Sequence, residues 1–306
     1  MLLLTNLLYA GIKLATPLFI GALGETYAQR TGVMVIAIEG IFLMGAWSGF
    51  VAAFYSNLYV GILAAAGAGI LISAFYGYVT IKLKRNQIVT GVAINIAMFG
   101  LSLYLFRVVF GVRLVPVTVQ PFEDISIPFL SRIPIIGRAL FSQNIYTYLA
   151  LILLVAGYYV LFRTHWGLTL RSLGENPAAV DSAGINVERT RMGAVILAGA
   201  LQGIAGSFYS LGYLGLFTQG MIGGRGWIAF AACFFGNWNP LGAFGGALLF
   251  GVADSLSTQF LTSDFKMIPT EFIVALPYLL VILGVLLRSG IRVPKYLGIQ
   301  YRKEEG

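Results

Sequence analysis

Two carboxylates lie inside otherwise apolar stretches of this chain: Glu39 in V-I-A-I-E-G-I-F-L-M-G-A and Asp254 in G-V-A-D-S-L-S. An ionisable group in hydrocarbon is costly unless it is paired or hydrated, so each is a candidate for contact with whatever crosses the membrane. Glu39 falls near the centre of the second apolar stretch, and Gly40 directly after it fits a broken helix there. Both admit a second reading, in which the carboxyl is protonated, or caps a broken helix and ties two spans together by hydrogen bonds. Asn95, Gln202, Asn237 and Asn239 add neutral donors and acceptors at similar depth, and interhelical hydrogen bonding explains any one of them as well as ligand contact does. Trp47, Phe99, Tyr104 and Phe208 could stack on a planar ring in a pathway. Ordinary packing is the default for each, since 14% of the chain is aromatic.

A second kind of chemistry is written into Trp166 to Arg191, W-G-L-T-L-R-S-L-G-E-N-P-A-A-V-D-S-A-G-I-N-V-E-R-T-R. This stretch is too polar for a membrane interior and must lie in water. Pro177 is placed to open a short small-residue helix over Ala178 to Ala183 that Gly184 can stop. Arg171, Arg189 and Arg191 favour the cytoplasmic side. A short polar helix held between two spans is an object built to touch a partner.

The elements that must position these residues follow from composition. Of 306 residues, 58% are hydrophobic and only 10% are charged, with a mean hydropathy of +0.85. A soluble domain of this size could not cover that much apolar surface, so the chain is a polytopic membrane protein of the all-α class. Apolar stretches long enough to span run from Leu7 to Leu23, Val33 to Tyr55, Leu58 to Ile81, Ile88 to Phe110, Ile145 to Phe162, Met192 to Leu211 and Phe272 to Leu287. A further region from Gly226 to Leu261 is too long for one span and carries the turn signal G-N-W-N-P at Gly236 to Pro240. It divides into a short limb and a longer one, giving about nine crossings within a range of 8–10; alternatively the short limb is re-entrant.

The basic residues gather in three clusters: Lys82, Lys84 and Arg85; Arg163 to Arg191; and Arg288, Arg292, Lys295, Arg302 and Lys303. The positive-inside rule puts all three in the cytoplasm, the second as a polar connection over about 163–191 and the third as a tail over about 288–306 of a single transmembrane domain, 1–306. The loop over about 111–144 then lies outside, where Pro116, Pro121, Pro128 and Pro134 prevent one continuous helix. An odd number of crossings places the N-terminus outside as well. The formal charge of +8 comes from these membrane-flanking clusters and does not suggest nucleic-acid binding. With Cys233 the only cysteine and His165 the only histidine, disulfide frameworks and the common zinc sites are excluded. Gly220 to Gly226 resembles a phosphate loop in glycine content, but no lysine in the chain follows a glycine, so the nucleotide-binding G-x-x-x-x-G-K-[ST] pattern is absent. Other glycines, in Ala66 to Gly69, Gly199 to Gly206 and Gly242 to Ala247, have the small-x-x-x-small character that lets helices approach closely.

Three stretches together carry a resemblance: Thr16 to Ala46, Arg171 to Arg189 followed by A-L-Q-G-I-A-G, and Gly223 to Ala243. Over nearly the whole chain this pattern is similar to bacterial ABC importer permeases of the simple-sugar, nucleoside and branched-chain amino-acid superfamily. It most resembles the nucleoside-type permeases that work with basic-membrane-protein-like binding lipoproteins. Met34 and Val35 stand where such permeases more often carry a polar residue. The resemblance implies a cytoplasmic (inner) membrane permease that is not itself an enzyme and has no cofactor or metal. Its implied partners are ATP-binding-cassette ATPase subunits, a second permease that is a paralogue or an identical copy, and an extracytoplasmic binding protein. Gly174, Glu175, Asn176, Pro177, Ala179 and Gly184 would then form the ATPase-coupling site. Glu39, Gly40, Asn95, Asp254, Trp47 and Phe99 would line the pathway, for a nucleoside or, alternatively, for riboflavin or a simple sugar. An ion-coupled secondary transporter would use Glu39 and Asp254 as coupling groups but has no reason to keep the coupling stretch, and a membrane enzyme would find few ionisable groups to supply a general base.

Overall fold

The structure, a computed structural model, describes residues 2–112, 115–128, 131, 136–262, 272–273, 275, 279 and 290–301. Its long helices are α1 (Leu2–Arg30), α2 (Ile38–Tyr55), α3 (Leu58–Gly77), α4 (Gln87–Phe110), α6 (Ile145–Arg163), α9 (Val187–Ser207) and α11 (Pro240–Thr262). Short helices are α5 (Ile136–Phe141), α7 (His165–Glu175), α8 (Pro177–Ser182) and α10 (Arg225–Phe235). Among the described residues seven helices are long and apolar enough to cross a membrane, so the chain is an all-α, multi-span membrane protein. The expected span from Phe272 to Leu287 lies almost wholly outside the described residues, as do Arg288, Arg302 and Lys303.

Asparagine sets where many of these helices begin. Asn57, Asn86, Asn144, Asn176 and Asn186 each accept a backbone N–H of the first turn that follows, of α3, α4, α6, α8 and α9 respectively. A side-chain acceptor at that position satisfies donors that have no partner within the helix. Small residues then set how closely the helices pack. A Cβ on Gly69, Gly199 or Gly203 would run into the facing backbone of the α3–α9 pair, and one on Gly45 or Gly206 into that of the α2–α9 pair. Without a hydrophobic drive between helices in lipid, this close approach and its dispersion contacts replace it.

The described residues of the basic clusters converge on one end of the bundle, where Lys84, Arg191 and Tyr301 line one cleft. Arg191 Nε donates to Thr31 O at 2.9 Å, Tyr296 N to Gly174 O and Gly298 N to Gly32 O, both at 2.9 Å, and Arg292 N to Asn237 Oδ1 at 2.9 Å. This is the end for which the positive-inside rule predicts the cytoplasmic side. The opposite end carries the 111–144 connection, which holds α5 and a two-residue antiparallel pairing of β1 (Ile125–Ser126) with β2 (Ser142–Gln143). Lys13 of α1 pairs there with Asp124 at 3.1 Å, so α1 starts at the loop end and descends to the basic end.

Two departures from the sequence reading matter for function. The stretch from Val33 to Tyr55 is not one helix: Gly32, at φ +92, ends α1 in a turn, and α2 starts only at Ile38. The region after α9 crosses in two pieces. A π-helical extension of α9 (Phe208–Leu214) reaches the loop end, where Val119 N donates to Gly215 O at 2.8 Å. From there irregular backbone turns inward, with Phe217 against Phe106 of α4 and Gly220 facing Phe99. α10 begins at Arg225, and its eleven residues make a half-helix of roughly 16 Å, about half the hydrocarbon thickness. It ends at the basic end, where Arg30 donates to the carbonyls of Trp238 and Asn237. The short limb thus completes a crossing, and α11 returns from the turn.

Candidate functional site

The half-helix starts inside the bundle, where its first N–H groups have no water to bind. Glu39 supplies the acceptors: Oε1 takes Gly224 N and Oε2 takes Gly226 N, each at 2.8 Å. The backbone allows this because Gly224 sits at φ +84 and Gly226 has no Cβ, which would otherwise lie 2.5 Å from Glu39 Oε2. Arg225, between them, sends Nη2 to Asp254 Oδ2 of α11 at 3.3 Å and Nη1 to Ile222 O at 3.3 Å. Its guanidinium lies 5.5 Å from the centroid of the Tyr209 ring. One cation and two carboxylates from three separate elements therefore meet at the point where this crossing is broken.

Glu39 is in the first turn of α2, not at the centre of a helical span, and it acts as a cap joining α2 to α10. Gly40 does not mark a break. It lies within α2 and is the contact with α4, where a Cβ would meet Met98 and Asn95 at 3.0–3.2 Å. Asn95 completes that contact, accepting from Gly40 N and donating to Ile36 O, both at 2.8 Å. Its amide is thus used in holding α4 to the turn before α2. Trp47 lies two turns along α2 from Glu39, with its indole N–H buried and without a hydrogen-bond partner among the described residues; the Tyr209 hydroxyl is in the same state. Ser210 Oγ, donating to Ala46 O at 2.8 Å, fixes the π-helical extension beside this part of α2. Phe99 is half-exposed beside Gly220, and Tyr104 is exposed on α4. Phe208 is wholly buried among Tyr146, Tyr209 and Tyr213, so it is core and not lining. Asn237 and Asn239 lie in the turn at the basic end, not at mid-depth.

Sequence reasoning missed Arg225 and Glu25. Arg225 lay hidden in a glycine-rich stretch that resembled a phosphate loop. Glu25 fell just past the end assigned to the first span, yet α1 continues to Arg30 and buries it completely. Its carboxylate accepts from Gln29 Nε2 at 2.8 Å, Val35 N at 2.9 Å and Gln202 Nε2 at 3.0 Å, and Gln29 Oε1 accepts from Trp238 Nε1 at 2.6 Å. This network joins α1, the turn before α2, α9 and the turn after α10. The spacing Glu25-x-x-x-Gln29, one helical turn, was the available signal.

At the basic end, α7 and α8 form a groove of about 500 Å³ lined by Leu168, Arg171, Glu175, Asn176, Ala179 and Ile185. Asn176 Oδ1 accepts from Ala179 N at 3.1 Å and starts α8 with Pro177 in its first turn. Buried Val180 packs with Leu173 and Val187, and Tyr301 donates to Asp181 Oδ2 at 3.1 Å, which anchors the helix on its inner side. Glu175, Asn176, Ala179 and Gly184 face outward, and Gly184, at φ +81, has open space around it. Gly174 and Pro177 are buried. A Cβ on Gly174 would strike Arg30 O, so its place in the sequence pattern reflects packing against α1 and the tail, not an outward contact.

Comparison with known proteins adds independent findings. The family described as Branched-chain amino acid transport system / permease component matches residues 7–287. The guanosine ABC transporter permease protein NupQ of Bacillus subtilis is 37% identical over 306 residues, covering 96% of this chain and 95% of that protein. The nucleoside ABC transporter permease protein NupC of Lactococcus lactis is 35% identical over 301 residues, covering 95% of each. A second guanosine ABC transporter permease protein of B. subtilis, NupP, is 27% identical over 252 residues, covering 78% of this chain and 70% of that protein.

Proposed function

The chain belongs to the family of branched-chain amino acid transport permease components, and from that premise we propose that it forms the translocation pathway of an ATP-driven importer for a nucleoside. The observation that carries the substrate class is the identity of 37% and 35%, over almost the full length, to permeases named for guanosine and nucleosides. The site is compatible in its chemistry. A base and a ribose offer ring faces and N–H, C=O and hydroxyl groups, and Trp47, Tyr209 and Phe99 with the Glu39–Arg225–Asp254 cluster offer aromatic faces, donors and acceptors in return. In this reading Glu39, Gly40 and Asn95 shape the pathway by holding α2, α4 and α10, while Trp47, Phe99 and Asp254 line it.

The permease itself makes and breaks no covalent bond. ATP is hydrolysed on separate cassette subunits that dock in the groove beside α8, with Glu175, Asn176, Ala179 and Gly184 at the contact. Closure of those subunits moves α8, and the rigid connections of α7, α1 and the tail carry that motion to the crossing helices, alternating access to the two sides. NupQ and NupP are two different guanosine permease proteins of one organism, and this chain is more similar to the first. That supports pairing with a paralogue. A binding protein outside and a bacterial cytoplasmic membrane complete the assembly.

The test is uptake of labelled guanosine by proteoliposomes holding the permease pair, its ATPases and its binding protein. ATP-dependent uptake that excess nucleoside blocks, and excess glucose, riboflavin or leucine does not, is the expected result. Uptake of glucose or riboflavin that nucleosides fail to compete would overturn the substrate class, and uptake driven by an ion gradient without ATPases would overturn the importer reading.

A further inference from the structure

The two carboxylates at the head of α10 hold it in different ways. Glu39 binds backbone N–H groups with both oxygens at 2.8 Å. Asp254 holds only a side chain, through a single N–O contact of 3.3 Å, and the two partners are 33% and 29% exposed at the side chain. The first attachment is short and made to backbone by both oxygens, whereas the second is one longer contact between two partly exposed side chains and is the more easily exchanged. Immediately before Arg225 the chain passes through Gly220, Gly223 and Gly224 at φ +70, +59 and +84, conformations that glycine adopts without strain. A half-helix is thus joined to a glycine-rich segment on one side and to a turn on the other, with its one cationic side chain pinned to a neighbouring span.

We infer that Arg225 is a positioning residue of the transport cycle: its ion pair with Asp254 latches α10 to α11, and release of that pair lets the half-helix tilt at mid-depth. The inference rests on the transport reading above but not on the identity of the solute. Tyr209 keeps the guanidinium in place when the pair opens, since its ring lies under Arg225 from the α9 extension and not from α11. Glu39 remains the pivot, because its bonds are to the backbone of the helix that moves. The irregular segment from Leu216 to Gly224 then follows α10, and exposed Thr218 within it reports the motion.

The test uses the full complex carrying Thr218→Cys and reads label on this subunit alone, whose only native cysteine, Cys233, is buried. Two quantities are read: the rate at which a membrane-impermeant maleimide labels position 218, and ATPase activity in the absence of binding protein. Asp254→Asn and Arg225→Gln should each raise both by about tenfold, an ordinary coupling between linked sites, and the exchange of Arg225→Asp with Asp254→Arg should return both to within roughly threefold of the parent. Single variants that assemble with parental labelling and ATPase activity would overturn the latch, as would an exchange no better than either single variant. Should neither single variant assemble, an exchange variant that assembles and labels at the parental rate supports the latch, and one that fails with them overturns it. Neither readout needs a labelled solute, so a failed guanosine assay and a failed latch are separate results.

Discussion

Replacing Glu39 with glutamine tests whether the carboxylate earns its place at the head of α10 as a cap. The wild-type side chain accepts two backbone N–H bonds at 2.8 Å, one on each oxygen. Glutamine keeps one acceptor and turns an amide N–H₂ toward the other donor, so one charge-assisted bond is lost, about 1.5–3 kcal/mol. The negative charge at a helix N-terminus is lost as well, about 0.5–2 kcal/mol in a partly buried setting. Together the change comes to about 3 kcal/mol. For a chain of this size each kcal/mol lowers the midpoint by roughly 2–4 °C, which predicts a fall of roughly 6–12 °C in thermal denaturation of the purified permease. Gly226→Ala attacks the same contact from the other side. Its Cβ would lie 2.8 Å from the Glu39 backbone Cα, and the drop should be similar. Uptake per assembled complex, measured alongside, separates the two roles of Glu39: unchanged uptake with a lowered midpoint makes it a cap alone, and reduced uptake places it in the pathway. A midpoint within about 1 °C of wild type for Glu39→Gln would refute the capping argument itself.

Asn95→Ala leaves Gly40 N and Ile36 O without their partner, so the permease should lose about 2–4 kcal/mol in thermal or denaturant unfolding. Gly199→Leu should abolish assembly as judged by size-exclusion yield, because even a Cβ there overlaps Ser73 and the Gly69 carbonyl; Gly67→Ala, on a helix face with nothing within 4 Å, should be neutral or gain about 0.5–1 kcal/mol. Gly184→Trp should abolish substrate-stimulated ATPase activity and transport in the reconstituted complex. Its position is solvent-exposed with nothing within 4 Å, so intact transport would show that α8 docks elsewhere.

How much of this was legible beforehand varies with the range of the interaction involved. Asn57, Asn86, Asn144, Asn176 and Asn186 each cap the helix that follows, a relation of a few residues that the chain carries locally. The apolar runs, the basic clusters and the Pro177 helix are local in the same sense, and they were sufficient for the class, the approximate number of spans and the exposed coupling stretch. The turn at Gly236 to Pro240 was readable because Asn and Pro punctuate backbone wherever they occur. What a buried polar group does is not local. Glu39 reads alike whether it faces a solute or a helix end 185 residues away, and only the meeting of α2 with the head of α10 decided that its oxygens are spent on Gly224 and Gly226. Arg225 and Asp254 became a pair, and Gly40 a contact rather than a break, through packing between elements far apart in sequence. Hydropathy is a sum over neighbours along the chain and therefore finds the helices. Hydrogen bonds and charge pairs in a membrane are settled by neighbours across the bundle, and that is a property of the tertiary structure alone.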